Sequence, residues 1–337
     1  MKRISAIFIT LTAAAVVLTV GPKLYNLISA KPESTPFTLY SCVIHDFTAL
    51  YQEDHDYKFM DRCGNVYGDE VQPLFYASIL ASRGMLPDSL EGRKVSLEEI
   101  ERNNLFITMD PRDVNKVIPP VYLLMESIPE RLELQDPEEA FVSRKDGLYI
   151  YNMGDNTLQE EKTERLNADL RALGFTFPAR CIEGNPTDRK DHDEGYLLTD
   201  SEDKLFRIKQ TGGVIRADYY PQADSLHLKN LKITEFENHA TLGFLVTGDG
   251  HLAILKENGD VTVTDVPMCP EKESILIIGD MFYYTVETST PEGENYFALK
   301  TGTFELVDTL SRTYEKSFSM PGISFTSPLH SYVKPHF

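Results

Sequence analysis

The chain has 337 residues, 33 Lys and Arg against 52 Asp and Glu, a formal net charge of −19 and no Trp. A protein this acidic is repelled by nucleic acid and by anionic headgroups, which excludes both as partners of its soluble part. Length and a 42% apolar composition allow one large or two ordinary hydrophobic cores.

Lys2 and Arg3 precede an apolar run from Ile4 to Val20, continued past Gly21 and Pro22 by Leu24, Tyr25, Leu27 and Ile28. That run is at the short edge of what crosses a bilayer core and longer than the usual core of a signal peptide. A cleavage site would have to use Ile28-Ser29-Ala30, with Ile in a poor position. The expectation is a retained signal-anchor over residues 1–30, a cleaved signal or a buried helix being the alternatives. The cationic N-terminus orients it to the cytoplasm. A Pro-containing tether, 31–36, then leads to an ectodomain over 37–337, whose charge without the first thirty residues is −22, from 30 cations against 52 acids.

Within 37–67, Phe37-Thr38-Leu39-Tyr40 and Tyr57-Lys58-Phe59-Met60 read as strands, and Cys63-Gly64-Asn65 as a turn. Helical spacing runs from Val71 to Arg83, stopped by Gly84. Ser96 and Glu99 form a capping box for a helix through Asn103. Pro111, Pro119, Pro120, Pro129 and Pro137 make 109–137 a loop with brief helical pieces near Tyr122 to Ser127. A last helix is expected from Leu158 to Leu173, capped by Thr157, with Leu166, Leu170 and Leu173 inward. Helical insertions are thus placed near 71–137 and 157–174.

The second half repeats strand, turn, strand, turn, strand. The units are Phe141 to Tyr151 around Asp146-Gly147, Tyr196 to Tyr220 around Glu202-Asp203 and Gly212-Gly213, and Phe244 to Val266 around Asp249-Gly250 and Asn258-Gly259. A fourth runs from Phe282 to Leu310 around Glu294-Asn295 and Gly302. A spacing of about 40 to 60 residues is that of propeller blades or a meandering stacked sheet. The fold class expected is mainly β, with propeller-like repeated meanders and helical insertions behind one N-terminal transmembrane helix. Residues near Phe59 to Tyr67 would supply a further unit, completed by Ile323 to Thr326 if a ring closes.

Cys42, Cys63, Cys181 and Cys269 lack metal-site spacing. They allow up to two disulfides, Cys42 with Cys63 being the first pairing to test, or four free thiols. The common protease, hydrolase and nucleotide motifs are absent, so no catalytic residue and no cofactor is assigned. The densest polar cluster holds Asp191, His192, Asp193 and Glu194, oxygen and imidazole donors that suit a cation, although Arg189 and Lys190 beside them argue for a solvated connector. Glu53-Asp54-His55-Asp56 reads as a hairpin tip, and Asp200-Ser201-Glu202-Asp203 as a turn that lacks the Gly and Glu of a calcium loop. His239 and His251 flank a strand.

Pro36-Phe37-Thr38-Leu39-Tyr40-Ser41-Cys42, Gly184-Asn185-Pro186-Thr187 with Arg189-Lys190, Asp193 through Asp200, and Ser324-Phe325-Thr326-Ser327-Pro328 resemble an uncharacterised bacterial family, domain of unknown function 4857. The resemblance implies a membrane-tethered envelope protein of unassigned role and carries no site residues. With the orientation given by the cationic N-terminus, the expected location is the bacterial inner membrane, with the C-terminal domain in the periplasm. The function expected is a non-catalytic interaction or accessory role with a membrane or envelope protein, a transporter being one candidate. The alternative is an exported hydrolase or ligand-binding receptor with a site at the propeller mouth.

Overall fold

The computed structural model describes residues 2–29, 35–53, 56–127, 134–190, 192–290, 292–314, 324–325 and 335–336. The chain is mainly β, with propeller-like repetition of antiparallel meanders, and divides into two compact units: Met1–Val117 with Pro270–Phe337, and Ile118–Cys269.

The first unit begins with helix α1 (Lys2–Ser29). Sheet I follows as a meander of Thr38–Ser41, Asp46–Glu53, Asp56–Met60 and Val66–Tyr67. It is complete within 38–67. Ser324–Phe325 does not join it but pairs with Pro335–His336, while Ile323 and Thr326 lie outside the described residues.

The helix expected from Val71 to Arg83 is broken: Pro73 cannot continue a helical hydrogen-bond ladder, and two short 3-10 turns precede α2 (Ala77–Ser82). Gly84 stops it as expected, its amide donating to the Ala81 carbonyl. The Ser96 cap forms, its Oγ accepting from the Glu99 amide at the start of α3 (Leu97–Asn103), while the Glu99 carboxylate pairs with Arg93. The region read as helical insertion also holds a strand, Leu105–Met109, followed by α4 (Pro111–Val114).

That strand is the outer member of sheet V, pairing antiparallel with Ser274–Gly279, which continues through Tyr283–Thr290 and Gly293–Lys300 to Leu306–Thr313. Tyr40, Phe47, Leu74, Ile100, Met281 and Tyr296 form the core of this unit.

The second unit holds three meanders. Sheet II comprises Val121–Leu124, Glu139–Ser143, Leu148–Asn152 and Thr157–Leu158. Sheet III comprises Cys181–Gly184, Tyr196–Thr199, Leu205–Thr211 and Val214–Tyr219. Sheet IV comprises Asn230–Ile233, Thr241–Val246, His251–Lys256 and Val261–Pro267. The helical pieces expected near Tyr122 to Ser127 are instead the first strand of sheet II.

Helix α5 (Glu160–Ala172) starts later than expected, because Thr157 and Leu158 are spent pairing with Asn152 and Tyr151. Leu166 and Leu170 are buried as expected, but Leu173 is exposed. The helix covers the part of the Leu148–Asn152 edge left open, at Leu148 and Ile150. Asn167 accepts from the Leu148 amide and donates to its carbonyl, and Thr163 Oγ1 accepts from the Ile150 amide. Side chains thus satisfy backbone groups that an additional length of strand would otherwise pair.

The repeat survives because its turns are locally encoded. Gly212 and Gly213, at φ +60° and +71°, make the two-residue hairpin turn of sheet III, a conformation that costs side-chain-bearing residues energy. Asp200 folds its own turn, accepting from the Glu202 and Lys204 amides, as expected of a hairpin rather than a calcium loop. All four cysteines are free thiols, Cys42 buried and Cys63 exposed, so the Cys42–Cys63 bridge does not form. Burial lifts the Cys42 thiol to about 12 and that of Cys181 to about 11.

Candidate functional site

The connection between the first two strands of sheet III, residues 185–195, meets the equivalent connection of sheet IV, residues 234–240. Lys190 organises the junction. Its buried ammonium donates to the Asn185 carbonyl, Asp193 Oδ1 and Glu235 Oε1, each at 2.6 Å. Glu235 also accepts from the Glu194 amide at 2.8 Å and from Asn185 Nδ2 at 2.8 Å. Asp193 Oδ2 accepts from Ser127 Oγ at 2.7 Å and from the Gly195 amide at 3.1 Å. Gly195 itself sits at φ +74° against the Ile208 carbonyl, where no Cβ fits.

This network decides which expected ligands are available. Asp191 lies outside the described residues. Asp193 is consumed by Lys190, Ser127 and Gly195 and is a structural anchor, so it is not brought into a ligand set. His192 and Glu194 are brought together, with Nε2 and Oε1 3.8 Å apart.

The other Glu194 oxygen accepts from Arg207 Nη1 and Lys209 Nζ, both at 2.9 Å, which fixes the carboxylate. Arg207 reaches on to Asp218 at 2.9 Å and Glu257 at 3.6 Å. His239, at φ +49° on the sheet IV turn, lays its ring against that of His192, with centroids 4.2 Å apart. One donor atom from each of His192, Glu194 and His239 lies within 4.8 Å of the others. Burial first, and then His239, lower the His192 pKa below its ordinary value, against the pull of Glu194 and Glu235. Its ring is therefore neutral, with a lone pair to offer, near pH 7.

Sequence reasoning found His192 and Glu194 and missed His239, Glu235, Ser127, Arg207 and Lys209. The usable signal was the phase of the repeat. The first-to-second strand connections of sheets III and IV occupy the same place in successive meanders, so the polar residues of both fall at one end.

Of the other clusters, Asp54 and His55 lie outside the described residues, and Glu53 and Asp56 are the last backbone pair of a hairpin. A cavity of about 490 Å³ in the second unit is lined in part by Glu126, Asp136, Glu138, Glu139 and Lys162. Glu126 holds the Gly212 and Gly213 amides at 2.7 Å, and Glu139 holds Lys162 at 2.7 Å. Glu126 and Glu139 are thus engaged in holding the fold.

A family model described as "Domain of unknown function (DUF4857)" matches residues 37–299. The sequence matches none of the curated proteins with which it was compared. Among solved structures, the Dos1 propeller is similar at 9% identity and TM-score 0.31, over 57% of this chain and 51% of that one. PorZ, a bacterial surface component of the type-IX secretion system of Porphyromonas gingivalis, is similar at 11% identity and TM-score 0.25, over 86% of this chain and 33% of that one. The β-propeller domain of Cps50 (Swd1) from Myceliophteria thermophila is similar at 9% identity and TM-score 0.28, over 86% and 90%. The chain thus spans about half of the Dos1 propeller and a third of PorZ.

Proposed function

The chain belongs to the family described as domain of unknown function (DUF4857), and on that premise we propose that it is a membrane-anchored envelope protein with a non-catalytic docking role. In this reading α1 crosses the bacterial inner membrane once. The β units lie in the periplasm and engage another membrane or envelope protein, a membrane transporter being one candidate.

The observation that carries the reading is the surface of α1. No residue of Ile4–Gly21 is buried against the rest of the protein, and Ile4, Ile7, Phe8, Ile9 and Leu11 are all at least 60% exposed. Each large apolar side chain left in water forgoes about 1.5–3 kcal/mol, so a surface of this kind needs lipid or protein around it. The polar side chains of the segment suit lipid as well. Thr10, Thr12 and Thr19 donate to the carbonyls of Ala6, Phe8 and Ala15, so that their hydroxyls do not face hydrocarbon unpaired. Twenty-eight residues at about 1.5 Å each exceed the roughly 30 Å hydrocarbon core.

The test is alkaline carbonate extraction of native membranes, N-terminal sequencing of the recovered chain, and mass spectrometry of what co-purifies in mild detergent. A chain that keeps residues 1–30, stays in the membrane pellet and brings a stoichiometric envelope protein supports the reading. A chain that begins near Ala30, is released by carbonate and purifies alone overturns it and favours the cleaved signal.

A further inference from the structure

We propose that His192, Glu194 and His239 form a binding site for one divalent transition metal ion, of which Zn²⁺ is the best match. The proposal is independent of the membrane reading. It rests on the convergence of two imidazoles and one carboxylate from two separate loops, with all three donor atoms within 4.8 Å.

The donor set selects the metal. Calcium and magnesium take oxygen ligands, whereas imidazole nitrogen suits zinc and its neighbours. Two His and one carboxylate are the three protein ligands of an open zinc site, in which solvent or a ligand completes the tetrahedron. In such a tetrahedron with bonds of about 2.0–2.1 Å, donor atoms stand about 3.4 Å apart. His192 Nε2 and Glu194 Oε1 are at 3.8 Å, within a few tenths of an ångström of that spacing. His239 is the exposed member of the three, so its ring has room to shift and close the remaining gap, and its side of the site is the one open to solvent.

The surroundings are those of a held ligand. Glu194 is fixed at its second oxygen by Arg207 and Lys209 and at its amide by Glu235. Fixing of this kind by outer partners is what orients metal-binding carboxylates. The cations do not forbid a metal. Lys190, Arg207 and Lys209 face Asp193, Glu194, Asp218, Glu235 and Glu257, so the carboxylates outnumber the basic groups.

The test is titration of the untagged, chelator-treated full-length chain in detergent with Zn²⁺, against a chromophoric competitor, and with Co²⁺ followed by visible absorption. The expected result is one Zn²⁺ per chain and a Co²⁺ spectrum of low coordination number. Asn tolerates the left-handed backbone of residue 239, so His239→Asn keeps the fold, and it should weaken binding by at least about tenfold. His192→Gln should do the same, while Cys63→Ser and His251→Ala leave binding unchanged. Failure to bind Zn²⁺ stoichiometrically, retention of full affinity in folded His239→Asn and His192→Gln, or loss of binding in Cys63→Ser would each overturn the proposal.

Discussion

Replacing Lys190 by Met tests whether the ion network holds the second unit together. The substitution removes three hydrogen bonds of 2.6 Å and leaves Asp193 and Glu235, whose side chains are 4% and 3% exposed, without their cation. Deleting one partner of a buried pair costs about 3–5 kcal/mol, because the remaining charge is stranded away from water. Two carboxylates are stranded here, but each keeps other donors: Ser127 and Gly195 for Asp193, Asn185 and the Glu194 amide for Glu235. The expected loss is therefore about 4 kcal/mol. With a urea slope of about 2 kcal/mol per molar, the unfolding midpoint of the second unit drops by roughly 2 M.

The assay is thiol labelling during urea unfolding of the full chain in detergent. Cys181 reports the second unit and Cys42 the first, in variants that keep one cysteine each. Adding Glu235→Gln to Lys190→Met should recover a large part of the loss, since it discharges one stranded group. A midpoint shift below about 0.5 M at Cys181 would place Lys190 among surface ion pairs, worth up to about 1 kcal/mol, and refute the reasoning.

Glu287 gives a second test, through pH. Burial first, then the charge of Glu294, raise its pKa from 4.5 to about 7 against the pull of Arg312. The folded chain therefore holds a proton that the unfolded chain releases between those values, and stability falls as pH climbs through that window. Asp280, raised to about 6 by burial, adds a slope of the same sign. Glu287→Gln, which cannot ionise, should match the parent near pH 4 and exceed it at pH 8 by roughly 2 kcal/mol, after allowing for solvent screening of a partly exposed carboxylate. Equal Cys42 labelling midpoints for parent and variant at pH 8 would contradict this. Gly195→Ala should cost more than about 3 kcal/mol, because residue 195 is at φ +74° and a Cβ there would stand 2.1 Å from the Ile208 carbonyl oxygen. Limited proteolysis of the folded chain would show it, and a variant as resistant as the parent would count against the geometry.

The repeat was legible because its determinants are local. Alternating strands such as Leu205–Thr211 and glycine turns such as Gly212-Gly213 announce themselves within a dozen residues. Outside sheet I, the first strands of the meanders were harder to see. Val121–Leu124 lies between prolines and buries only Leu124 fully, as befits an edge strand, so its sequence looks like a loop. Leu105–Met109 sits among helices, and only its pairing with Ser274–Gly279 makes it a strand. At the candidate site, His192 and Glu194 stood out as neighbours in sequence. His239 did not, because a single His in a polar turn carries no sign of what lies opposite. Asp193 looked equivalent to its neighbours and is not. Which carboxylates a lysine or serine claims is settled by tertiary packing.

The strand Leu105–Met109 has a consequence for the order in which the protein is made. Its partner, Ser274–Gly279, emerges some 165 residues later, roughly 8 to 30 s at ordinary rates of synthesis. Through that interval Leu105 and Met109, both buried in the finished sheet, wait on an unpaired edge open to wrong partners. The intervening 118–269 forms a compact unit from contiguous chain and can complete itself meanwhile. Asn115 Nδ2 bonds the Glu271 carbonyl at 2.8 Å, so the two ends of that excursion are tied together when the chain returns. A ribosome that stops short of residue 313 thus spares the middle of the protein and leaves unfinished the unit that was begun first.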